Sequence, residues 1–185
     1  VGVKVFDGEV DSAPFNLQIT VVGINNSPTI TGQYTVTTPE EIPITLRLAD
    51  LIVTDPDSPF PTGFTLDVSG GTDYSISGSN PHNIIPALNF NGTLSVPVTV
   101  NDGQLTSASY NLQVQVTAIN DAPVITGQNP LTTYEDQPII LKLADLMVTD
   151  VDNTFPTGFT LNVLPASGST YTVVGSTVTP AANYN

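Results

Sequence analysis

Cysteine and tryptophan are absent from this 185-residue chain, histidine occurs once, and lysine and arginine together number 3. Without cysteine there are neither disulfides nor thiolate metal sites. With His82 as the single histidine, a Ser/His/Asp set cannot recur along the chain. Lys4, Arg47 and Lys142 stand against 17 acidic residues, giving a formal net charge of -14. That balance excludes nucleic acid and anionic membrane as partners, because no basic cluster with interleaved aromatics exists to meet phosphate. No apolar run approaches the ~18 residues of a membrane span, and no basic n-region opens the chain. Sustained helical periodicity is missing as well.

What is present is a repeat. Sliding the sequence by 95 positions aligns residues 1–68 with 96–163 without a gap, and roughly 40 of those 68 positions are identical. "LADLIVTDPDSPFPTGFTLDV" from Leu48 becomes "LADLMVTDVDNTFPTGFTLNV" from Leu143, and "INNSPTITGQ" from Ile24 becomes "INDAPVITGQ" from Ile119. The copies then drift and realign at "PALNFN" from Pro86 and "PAANYN" from Pro180. Between the end of the chain and its start only counterparts of Gly92 to Ser95 are missing, so it reads as a window on a longer array.

Each period reads as all-β. Val96, Val98 and Val100 alternate with polar residues, as do Leu112, Val114 and Val116, the mark of half-buried strands. "NDG" at Asn101 and "FDG" at Phe6 are hairpin-turn signals between such runs. Further strands are expected over 30–38, 44–53, 63–68, 74–78 and 84–88, with "LRLADL" able to close one helical turn. About seven short strands per ~95 residues is the expectation for an immunoglobulin-like β-sandwich. Proline in "INNSP" and "INDAP" stiffens the step into each next unit. On that phase residues 1–26 are the terminal hairpin of a preceding repeat, 27–121 a complete sandwich, and 122–185 a sandwich lacking its last two strands. An open sandwich exposes edges and half a core. Residues 1–26 are the type of hairpin that 122–185 lacks, so either neighbouring chains complete each other head to tail, or the structural unit is phased differently from the linker-based one.

The acidic residues cluster. Asp55 and Asp57 form an Asp-x-Asp pair that returns as Asp150 and Asp152, with Glu40, Asp102, Asn120 and Asp121 as further oxygen donors. Calcium takes six to eight such oxygens, and like charges this close cost energy unless a cation or hydrogen-bond donors compensate. The plainer reading is that Asp and Asn form turns by bonding nearby backbone amides, and it carries most weight for Asp7 and Asp102.

The "NDAP" linker, an "ED" before proline, the internal Asp-x-Asp and the "NFNG…VNDG" close together resemble the cadherin-like tandem repeats of large bacterial surface or secreted adhesins. The resemblance implies tandem immunoglobulin/cadherin-like sandwiches at the cell surface or outside it, stiffened by calcium at their junctions. It assigns the second junction to Asn120, Asp121, Asp150 and Asp152, with Glu40 and Asp102 as weaker candidates. It assigns the first to Asn25, Asn26, Asp55 and Asp57, where Asn26 replaces the acid found at Asp121 and so weakens the site. The function it implies is a non-catalytic stalk or filament spacer whose partners are neighbouring repeats. The alternative is a module binding glycans or a cell surface, with Tyr34 and Tyr74 as candidate aromatics. Catalysis is not expected: His82 lies in a loop insert with no counterpart, and duplicated carboxylate pairs argue for structure.

Overall fold

The computed structural model describes residues 1–79, 81–165 and 170–184. Contacts divide the chain into two compact units, Val1–Val116 and Thr117–Asn185.

The first unit begins with a short hairpin, β1 (Gly2–Val3) and β2 (Phe15–Asn16), paired antiparallel. The sandwich follows: β3 (Thr29–Gln33), β4 (Val36–Pro39), β5 (Ile44–Leu46), β6 (Leu51–Thr54), β7 (Thr65–Val68), β8 (Tyr74–Ser77), β9 (His82–Pro86), β10 (Gly92–Asn101) and β11 (Tyr110–Thr117). One sheet has the order β4-β11-β10-β7; β5-β9-β8 and the pair β3-β6 make up the rest. The expected strand over 44–53 is broken by a single 3-10 turn at Leu48–Asp50. The Asp50 carboxylate causes the break by accepting the Arg47 N–H at 2.7 Å, while the Asp50 N–H bonds the Arg47 carbonyl. Likewise 30–38 divides into β3 and β4, which enter different sheets.

Side chains alternate inward along the β10–β11 hairpin, and half of the buried apolar residues come from it: Leu94, Val96, Val98, Val100, Leu112, Val114 and Val116. They pack on Leu46, Leu51, Phe64, Leu66, Val68 and Ile84. Burial of such aliphatic side chains at about 1.5–3 kcal/mol each is the main force holding this domain together.

The second unit repeats part of this plan with β12 (Val124–Gln128), β13 (Ile139–Ile140), β14 (Leu146–Thr149), β15 (Tyr171–Val174) and β16 (Thr177–Pro180). β12 pairs with β14 as β3 does with β6, and β13-β16-β15 matches β5-β9-β8. A second 3-10 turn falls at Leu143–Asp145, again with the aspartate accepting the N–H three residues earlier. No described residue of this unit is buried.

Candidate functional site

At the first linker five side chains take part in hydrogen bonds: Asp55, Asp57, Asn26, Asp102 and Asn25. Asp55 folds its own loop: Oδ1 accepts the N–H groups of Asp57 and Ser58 at 2.8 and 2.9 Å. This turn aims Asp57 back at the linker, where its Oδ2 accepts both the Asn26 N–H at 2.8 Å and Asn26 Nδ2 at 2.7 Å. From the β10–β11 turn, Asp102 Oδ2 accepts Asn25 Nδ2 at 2.9 Å across 77 positions of sequence. The other oxygen of Asp102 holds the turn, taking the Gln104 and Leu105 N–H groups at 2.7 Å each. The Leu105 N–H foremost, then the Asn25 side-chain amide and the Gln104 N–H, hold the Asp102 carboxyl below the usual carboxylate range. Asp55 Oδ2 is shut off from solvent and has no hydrogen-bond partner.

The second linker has the same plan with a different sharing of bonds. Asp150 Oδ1 accepts the Asp152 and Asn153 N–H groups at 3.0 and 2.7 Å, and Asp152 Oδ2 accepts the Asp121 N–H at 2.6 Å. Asn120 Nδ2 turns onto the Asp121 carbonyl at 2.7 Å, and its Oδ1 accepts Asn153 Nδ2 at 2.9 Å. Asn153 stands where the first copy has Ser58, and sequence reasoning passed over it. A longer amide at that position was the available signal.

One expected grouping changes. Asp102 was assigned with the second junction, but its side chain is bonded to Asn25 of the first linker. The reason is direction: β10 runs toward the Asp102 turn, and β11 runs away from it to Thr117 before the second linker. Glu40 follows β4, which lies beside β11, and it is 2% exposed. His82 is in β9 rather than a loop, opposite Leu46, with Nε2 3.7 Å from Asp67 Oδ1. Tyr74 packs against the core and donates its hydroxyl to the Ser69 carbonyl at 2.8 Å, so it is a structural residue. Tyr34 is 61% exposed.

Among the described residues no three His, Asp or Glu side chains are gathered as a set able to hold a metal. Any cation at the first linker therefore has to use Asn and backbone oxygens beside the aspartates. The donors there are all oxygens, which suits a hard cation. The buried Oδ2 of Asp55 is the atom that such an ion would satisfy.

Residues 25–115 match the protein family described as "Bacterial Ig domain". That stretch of the chain is a bacterial immunoglobulin-like domain, of a kind typical of surface proteins, and no catalytic family is indicated. No curated protein matches the sequence. Among solved structures, the chain is similar to the extracellular domain of protocadherin GammaB4, with 17% identity and a TM-score of 0.42. That likeness covers 86% of this chain and 28% of the protocadherin chain. It is also similar to a chimeric titin Z1Z2 functionalized with a KLER peptide from decorin, with 14% identity and a TM-score of 0.29, covering 88% and 85% of the two chains. Among the described residues no helix is long and apolar enough to cross a membrane.

Proposed function

We propose that this chain is a non-catalytic spacer segment of a bacterial extracellular or cell-surface adhesin, built of consecutive immunoglobulin-like domains and stiffened by calcium at the linkers. The observation that carries the cation reading is Asp55 Oδ2, an enclosed carboxylate oxygen without a partner, in the loop whose Asp57 is bonded to the linker. Amide donors already serve the other bonded oxygens of the group, so hydrogen bonding alone accounts for most of the cluster. It leaves that one oxygen, and an unmet buried acceptor of this kind costs about 1–3 kcal/mol. A divalent cation bound there satisfies it and joins the linker to the Asp55 loop. Asp55 and Asp57 would hold the ion, with side-chain oxygens of Asn25 and Asn26 and backbone oxygens of the linker completing its shell. Its role is to fix the linker, and affinity near the 10⁻⁴–10⁻³ M of extracellular modules is expected.

Calorimetric melting of the chain in millimolar calcium and in EDTA tests this. Relief of about 1 kcal/mol raises the melting temperature of a domain this size by roughly 4–8 °C. Asp55→Asn abolishes the calcium-dependent part. Neither heat of binding nor a shift in melting at about 10 mM calcium would overturn the cation reading, since that concentration exceeds the expected dissociation constant tenfold or more.

A further inference from the structure

We propose that Asn91–Gly92 is a self-modification site, where the Asn91 side chain closes onto the Gly92 nitrogen and water reopens the ring, leaving isoaspartate or aspartate at the head of β10. It is the sole Asn-Gly step in the chain. Asn91 is exposed and lies just outside the strand, and no hydrogen bond to a described residue holds its side chain. Glycine, having no side chain, leaves the attacking nitrogen unshielded. Nor can the fold readily discard this glycine, because Gly92 has a φ of +130°, at which an L side chain is strained.

The reaction needs only water. Gly92 N gives up its proton and attacks Asn91 Cγ. The new C–N bond closes a cyclic imide, and the side-chain nitrogen leaves with a proton as ammonia. Water then adds to either ring carbonyl. Cleaving the bond between Cγ and the Gly92 nitrogen gives aspartate. Cleaving the bond between the Asn91 main-chain carbonyl carbon and that nitrogen gives isoaspartate, in which the backbone runs on through Cγ. Both products add a negative charge, and isoaspartate also adds a carbon to the main chain.

The structure withholds the competing positions. Asp7–Gly8 and Asp102–Gly103 offer the same ring, but each carboxylate holds its own turn. Asp7 Oδ1 accepts the Glu9 and Val10 N–H groups as Asp102 Oδ1 accepts those of Gln104 and Leu105. Asn25 and Asn26 are tied to Asp102 and Asp57, and Asn101 accepts the Gly103 N–H and donates to Thr106.

At Asn91 the strand ladder sets the pace. Gln33 locks onto Gln113, its Oε1 accepting the N–H at 2.7 Å and its Nε2 donating to the carbonyl at 2.8 Å. Bonded and unbonded pairs alternate along an antiparallel hairpin. With the Gln113 backbone turned to Gln33, Gly92↔Val116 falls in the bonded set and is the first rung of β10. The Gly92 N–H is therefore released when that end rung frays, an opening of low free energy. The chain is anchored on both sides of the site, by Phe90 packed on the core and by Leu94, 2% exposed. An extra carbon between those anchors displaces one of them or costs the end rung, together with the Gln115 Nε2 bond to the Gly92 carbonyl at 3.1 Å. No enzyme is required, so the change accumulates as the chain ages.

The test incubates the folded 185-residue chain in mildly alkaline buffer. Its peptides are mapped by mass spectrometry, with fragmentation that separates aspartate from isoaspartate. Asn91 is expected to be the first asparagine to turn, and to turn more slowly than in the same chain unfolded in urea. Asn91→Gln, whose extra methylene misplaces the side-chain carbonyl, should slow the change at this position about a hundredfold. The isoaspartyl chain, separated by chromatography, should melt about 4–8 °C below the parent. Asn91→Asp, which carries the charge alone, should melt within about 2 °C of it. Earlier reaction at any other asparagine, or an isoaspartyl chain that melts with the parent, would overturn the proposal.

Discussion

Residues 65–68 and 160–163 read TLDV and TLNV, nearly one sequence at one place in two copies of a repeat. The first is β7, with Leu66 and Val68 buried; the second forms no strand, and its Leu161 and Val163 are half-buried. The same divergence separates β4 from 131–134, and Glu40, 2% exposed, from the exposed Glu135. Each differing segment is one that β10 or β11 touches, directly or through the core. The segments those strands do not pair with, β3–β6 and β5-β9-β8, are reproduced in the second unit strand for strand. Strand propensity is thus a statement about fitting a pleated surface that a neighbour completes.

The largest expected effect breaks this comparison at its centre. Leu112 is 0% exposed and Leu17, its twin, is 45% exposed. Leu112→Ala should destabilise the first domain by about 2–5 kcal/mol, through lost transfer energy and a residual cavity. In dilute solution Leu17→Ala should change melting by less than about 0.5 kcal/mol, as for a surface substitution. Denaturant titration followed by far-UV circular dichroism measures both. Equal effects would mean that residues 1–21 already lie in a packed sheet.

How far this was legible in the sequence depends on the interaction. Alternation of Val96, Val98 and Val100 fixed the buried face of β10, because a period of two leaves one face for the core. The Asp-x-Asp loops and the helical turn at Leu48–Asp50 were legible for a local reason, as each is closed by a carboxylate two or three residues from the amide it binds. Asp102 was misplaced because its partner Asn25 lies 77 residues away, a separation that no local pattern encodes. The lock between Gln33 and Gln113, 80 residues apart, went unseen for the same reason, although both glutamines are repeated.

That lock gives the next prediction. Gln33→Ala removes two bonds to the backbone of β11 and leaves the Gln113 amide to find water at a partly exposed edge. A loss of about 1–2 kcal/mol is expected in the first domain. Gln128→Ala should leave the stability of the dilute monomer unchanged within about 0.5 kcal/mol. The two substitutions separate what the residue does from where it stands. A matching loss at Gln128 would mean that its side chain already holds a strand.

The smallest effect concerns two aspartates that share a turn and differ in one neighbour. Asp7 and Asp102 both have carboxyls held below the usual range, with the Val10 N–H the leading cause for Asp7 and the Leu105 N–H for Asp102. Only Asp102 also accepts a side-chain donor, Asn25. A depressed folded-state pKa contributes stability that is present above the unfolded value and is lost as pH falls through the folded one. Both turns should therefore hold at neutral pH and loosen only in acid below the ordinary aspartate range. Asn25→Ala should raise the Asp102 titration midpoint and leave that of Asp7 in place, as read from carboxyl chemical shifts across an acid titration. An unmoved Asp102 would show that the turn's own backbone donors set its charge and that the linker contact is incidental. If it moves, the linker and the β10–β11 turn are electrostatically coupled.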